Sequence, residues 1–138
     1  MASGIGPKLP LLPDDVDGAY ALTKDLKDTI KQNFRNLMLT IPGERIMLPD
    51  FGVGIARYLF ENQTNSRMLL SSITSRVQDQ TKRHMPFITI NSVNMNTAEN
   101  DPTMSPHTMI LYVEYFITPL NQGDSLEIGV DLTGEVIL

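Results

Sequence analysis

Glu44, Asp50 and Glu61 are three carboxylates in or near one stretch rich in Pro and Gly. Two carboxyl groups flanking a glycosidic bond can act as acid and base in glycan hydrolysis. The pattern is weakly specific here, because a chain with 16 Asp and Glu offers many such pairs. Arg45 adjoins Glu44, where a structural ion pair or a helix-end cap is the simpler use. A Ser-His-Asp arrangement is poorer still. His84 and His107 are the two histidines, and no Ser sits between the glycines of a nucleophile elbow. Both His read as surface or capping residues. Gly52-Val53-Gly54 lacks the third Gly, the Lys and the preceding strand of a phosphate cradle, so tight turning and close packing explain it better. The absence of Cys excludes thiolate zinc sites, Cys nucleophiles and disulfides. No metal and no cofactor is expected, and the eight Met read as adaptable packing.

Any such residues have to be positioned by regular elements. The first 16 residues read as an extended arm, with Pro7, Pro10 and Pro13 spaced by Leu9, Leu11 and Leu12. Residues 17–138 read as one domain. Leu22, Leu26, Ile30, Phe34, Leu37, Met38 and Ile41 recur at helical spacing, which predicts a helix over 24–40 with Thr23 as N-cap and Asp25 in its first turn. Pro42-Gly43 ends it. Residues 41–54 form a loop apolar enough to be expected against the core. A short helix is expected over 55–61. A second long helix follows over about 65–84, with Leu69, Leu70, Ile73 and Val77 inward, Arg67, Arg76, Lys82 and Arg83 outward, and Pro86 as its stop.

The remainder reads as strands. Ile88, Ile90, Val93 and Met95 alternate with a slip of phase at Asn91-Ser92, the sequence mark of a β-bulge. Residues 107–118 are apolar on both faces, which predicts a central strand covered on both sides. After a turn region over 119–125, Leu126, Ile128, Val130 and Leu132 alternate strictly with polar residues or Gly, as in a half-buried strand. Val136, Ile137 and Leu138 are expected to tuck onto the sheet or to add to a neighbour's sheet. Helices first and strands later give an α+β class: two long helices and a short one on a small antiparallel sheet of about three to four strands.

At 138 residues the chain fits one domain of the usual roughly 100–200 residues. It should bury about 68% of its unfolded surface. With 41% hydrophobic and 20% charged residues it is globular in composition. No apolar run is long enough to span a membrane and no signal peptide is evident, so a cytosolic start is expected. Charge is unevenly placed. Residues 1–83 hold all 11 Lys and Arg, whereas 84–138 hold none and seven Asp and Glu. That half would repel nucleic acid and accept a basic protein partner.

One stretch also carries a family likeness. Ile30-Lys31-Gln32-Asn33-Phe34-Arg35-Asn36-Leu37-Met38-Leu39-Thr40, Pro42-Gly43-Glu44-Arg45, Pro49-Asp50-Phe51-Gly52-Val53-Gly54 and Tyr58-Leu59-Phe60-Glu61 follow in order. Together they resemble the baseplate wedge and sheath-initiator proteins of contractile tails, a lysozyme-like-named family of contractile phages and related injection systems. The likeness covers about 26–97. It implies a compact α+β fold in the inner baseplate of a virion tail, assembled in the host cytoplasm. The partners it implies are wedge subunits and the sheath protein of the first ring, whose strands the sheet receives. Where the family commonly has Glu-Pro-Arg, this chain has Met85-Pro86-Phe87. The helix stop is kept and the charged pair is not.

The resulting reading is a non-enzymatic structural adaptor that links wedge subunits to sheath and initiates sheath assembly, in about six copies per baseplate. Glu44, Arg45, Pro49, Asp50, Phe51, Gly52, Leu59, Phe60, Glu61 and Pro86 would form the motif and protein interface. Leu126, Ile128, Val130, Leu132, Val136, Ile137 and Leu138 would meet sheath strands, and the arm would meet a wedge or tube-side neighbour. The rival is a tail-associated peptidoglycan hydrolase using Glu44 or Glu61 with Asp50.

Overall fold

The computed structural model describes residues 4–58, 66–98, 100–104 and 108–131. Contacts divide the chain after Arg35, into Met1–Arg35 and Asn36–Leu138.

In the first unit, β1 (Gly6–Pro7) pairs antiparallel with β2 (Leu22–Thr23). Pro7 has no N–H to give, and the pairing uses its neighbours instead. Ile5 N donates to the Thr23 carbonyl at 2.8 Å and Lys8 N to that of Ala21 at 2.9 Å. The Pro-rich segment is therefore tied along its backbone to residues 21–23. Asp17 braces the return: it accepts from Leu22 N at 3.2 Å and pairs with Lys24 Nζ at 3.0 Å. The Lys24 and Leu22 hydrogen bonds hold its carboxyl below the usual range.

The helix α1 (Leu26–Leu39) is capped by Asp25, not by Thr23. Asp25 Oδ1 accepts from Lys27 N at 3.1 Å, and the Asp25 carbonyl takes the first helical bond, from Thr29 N. Thr23 is drawn into β2 instead, where its hydroxyl donates to the Gly6 carbonyl at 3.1 Å. Ile30, Phe34, Leu37 and Met38, the predicted stripe of α1, are buried.

The second unit holds α2 (Ile55–Tyr58), α3 (Ser66–His84), β3 (Ile88–Thr97), β4 (Met109–Ile117) and β5 (Gln122–Val130). The strands form an antiparallel sheet in the order β3-β4-β5, and α3 packs on β3. The bulge lies where the phase slip put it: Ile90 faces Tyr115 and Ser92 faces Glu114, leaving Asn91 over. Mixed helix and antiparallel sheet is thus the class found. Two long helices are not, since α3 has 19 residues but α1 has 14 and α2 four.

Three local expectations need correction. Residues 107–118 do not give a strand covered on both sides. Met109, Leu111, Val113, Tyr115 and Ile117 are buried on one face of β4, whereas Tyr112 and Glu114 are exposed on the other. The apolar outer residues Ile110, Tyr112 and Phe116 misled the reading, because apolarity alone does not supply a cover. The 41–54 loop is pressed inward only from Gly52 onward, while Ile46, Met47 and Leu48 stand out in solvent. Residues 119–125 are not all turn, since β5 begins at Gln122. The end of the expected helix 55–61, His107, and the interface residues Leu59, Phe60, Glu61, Leu132, Val136, Ile137 and Leu138 lie outside the described residues.

Candidate assembly interfaces

The loop after α1 is built from backbone bonds. Glu44 N donates to the Ile41 carbonyl at 3.0 Å, and Glu44 Oε2 accepts from Ile41 N at 3.0 Å. Gly43 N donates to the Pro49 carbonyl at 2.8 Å, which closes 43–49 into a loop of its own. The chain then turns inward at Gly52. Its φ is +113°, and a Cβ there would overlap the Thr40 carbonyl oxygen, so only glycine fits.

α3 receives this turn. Gly52 N donates to the buried Gln80 Oε1 at 2.9 Å. Arg76 donates through Nε and Nη2 to the Gly52 carbonyl, at 3.2 and 3.0 Å, and through Nη2 to the Asp50 carbonyl at 3.1 Å. Val53 N adds a bond to the Leu37 carbonyl at 3.0 Å. Phe51 is half-buried between two groups. The Arg45 guanidinium lies 4.0 Å from its ring centroid, and the His84 ring meets it edge-on at 4.8 Å and 66°.

The structure therefore gathers Glu44, Arg45, Pro49, Asp50, Phe51 and Gly52 in one loop. Glu44 caps a turn, Pro49 and Asp50 contribute carbonyls, and Pro86 is exposed just past the end of α3. The sequence reading put Arg76 on the outward face of the helix, took His84 as a surface or capping residue and did not name Gln80, whereas all three brace the loop. Their spacing of four puts them on one helix face, a polar row beside Ile73 and Val77, and that row was the available signal.

The sheet offers a second kind of surface. Leu126, Ile128 and Val130 are buried in the chain's own core, so their side chains are not on offer to a neighbour. What β5 offers is a backbone edge, since β4 is its strand partner among the described residues. Inside, Tyr115 donates to Asp124 Oδ2 at 3.3 Å, and burial, then the Asp124 charge, pushes its phenol far up. On the outer face Tyr112 lies opposite Glu127, and their hydrogen bond, with burial next, raises the Tyr112 phenol. Ser92 donates to Glu114 Oε2 at 3.1 Å across the β3–β4 pair.

The family described as baseplate wedge protein gp25 matches residues 24–121, well over half of the chain. The chain belongs to this family. This is a contractile-tail baseplate family, and the match takes in the loop, its brace on α3, and the sheet as far as the β4–β5 turn. A cryo-EM structure of the anti-feeding prophage baseplate, 6-fold symmetrised, contains a similar chain. It is 25% identical, with a TM-score of 0.64, covering 81% of this chain and 83% of that one. A crystal structure from Geobacter sulfurreducens, described provisionally as a tail lysozyme, is 24% identical with a TM-score of 0.65. It covers 81% of this chain and 96% of the other, and at that identity the likeness speaks for the fold alone. No curated protein sequence matches the chain significantly.

Proposed function

We propose that the chain is a structural adaptor of the inner baseplate, linking wedge subunits to the first sheath ring and initiating sheath assembly. The observation that carries this reading is the β5 edge. Among the described residues β5 is an edge strand over a buried core, and such an edge can accept an extended segment by main-chain bonding. The braced loop supplies a rigid contact for wedge subunits, and the N-terminal segment supplies one for a wedge or tube-side neighbour. Six copies per baseplate follow from tail symmetry, with assembly in the host cytoplasm.

The adaptor does no chemistry in this reading. The Glu44 carboxylate is exposed and already holds the Ile41 N–H, which suits a turn cap better than a general acid. The test is recovery of the tagged protein from cells that make the whole particle. Sheath and wedge subunits should come with it. Deleting 132–138 should lower sheath recovery and leave the fold intact, whereas a cut before 126 would remove core residues and test nothing. Recovery without sheath, together with sugar release from peptidoglycan that Glu44→Gln abolishes, would overturn the adaptor reading.

A further inference from the structure

The Asn36–Leu138 unit has two chemically opposite sides. Residues 36–87, which make the loop, α2 and α3, carry six Arg and Lys against four Asp and Glu. Residues 88–138, which include the three strands of the sheet, carry seven Asp and Glu and no Arg or Lys, and of these Glu114 and Glu127 are exposed on the outer face of β4 and β5. The inner sheet residues are buried and α3 packs on β3, so the open outer face looks away from the helices. Each side also has an apolar feature. Ile46 and Met47, 94% and 90% exposed, form a knob on the braced loop, with Arg45 beside them. Ile110, Tyr112 and Phe116 form a stripe along the outer face of β4, and Gly129 and Gly123 lie opposite Ile110 and Phe116 on β5. Gly123 is exposed beside Phe116, Glu114 stands in the stripe between Tyr112 and Phe116, and Glu127 lies opposite Tyr112.

We infer that the loop side of one copy docks on the outer sheet face of a second copy, with the Ile46–Met47 knob seated on the Tyr112 stripe. Opposite net charge on the two sides, with Arg45 beside the knob and Glu114 and Glu127 next to Tyr112, selects this pairing over face-to-face contact, in which the carboxylates of two copies meet. An anionic membrane surface or a nucleic acid would be repelled by the acidic face. The contact is head-to-tail, so it either closes into a ring or continues as a filament. Closure at six rests on the baseplate reading, whereas the pairwise contact does not.

The chain has no Cys, which makes thiol cross-linking a clean test on the purified protein. Met47→Cys marks the knob and Asn94→Cys marks the outer face beside Tyr112, and both positions are exposed. With a short bis-maleimide, a mixture of the two variants should form dimers at least tenfold faster than either alone. Raised salt should slow the reaction, and adding Glu114→Lys with Glu127→Lys to the Asn94→Cys chain should remove the preference. No dimers, or dimers of each variant with itself at the same rate as the mixture, would overturn the inference. Because no sheath or wedge subunit is present, failure here leaves the adaptor reading standing. Loss of sheath recovery in the particle experiment leaves this contact standing in turn.

Discussion

Residues 52–55 and residues 45–48 belong to one connection, are both largely apolar, and end in opposite places. The first four are buried, and the last four are exposed. Hydropathy does not separate them, since Ile46-Met47-Leu48 is as apolar as Val53 and Ile55. The backbone does. Gly52 can take a φ of +113° with its back to Thr40, and only there do Gln80 and Arg76 meet both its N–H and its carbonyl. The 43–49 loop satisfies itself through Gly43 N to Pro49 O and the Glu44–Ile41 pair, so nothing pulls its apolar side chains inward. Anchored main chain decides which apolar residues become core.

The sharpest way to break this contrast is Gly52→Ala. The substitution forces a Cβ onto the Thr40 carbonyl at a positive φ, and should cost about 3 kcal/mol or more. Urea unfolding would read it, and an unchanged midpoint would mean the turn is not built as described. The next largest effect belongs to the acceptor. Gln80→Met keeps the shape and removes Oε1, leaving the buried Gly52 N–H unpaired at about 1–3 kcal/mol. Hydrogen exchange at Gly52 should accelerate in that variant. Protection equal to wild type would show that the brace is not the Gln80 bond.

The legibility of the sequence follows the same line. Helices and strands were readable where one side-chain period persisted, as in the stripe of α1 and the slip that marks Asn91. The core partners of β4 were readable, but not the openness of its outer face, because periodicity shows what is apolar and not what lies above it. The loop was legible as a family motif from its residue order. Its brace was not, because Arg76 and Gln80 read as ordinary polar helix residues until the turn at Gly52 meets them. Thr23 was a sound N-cap by residue type and lost the position to Asp25 because β2 needed its hydroxyl. Local propensity gave way there to a pairing made with residues far away in sequence.

Arg45 lies on the border between the two parts of the loop. Its guanidinium covers Phe51, whose other neighbour is His84, but Arg45 itself is exposed. Arg45→Ala should therefore cost about 0.5–1 kcal/mol, the range of an exposed cation–π contact. Arg45→Lys should recover part of that loss. A loss as large as that of Gln80→Met would mean that the tip, too, is clamped.

The smallest effect is the most telling for function. Ile46→Ser with Met47→Ser removes two large apolar side chains that touch almost nothing within the chain, so stability should stay within about 0.5 kcal/mol of wild type. A protein gains nothing in its own fold by holding such residues in water on a loop whose backbone is closed and braced. If the double variant unfolds at the wild-type urea concentration yet fails to enter the baseplate, the tip is a contact surface and the base exists to aim it. If the double variant is instead destabilised by several kcal/mol, the tip folds back on the chain, and the division of the loop into an anchored base and an offered tip is wrong.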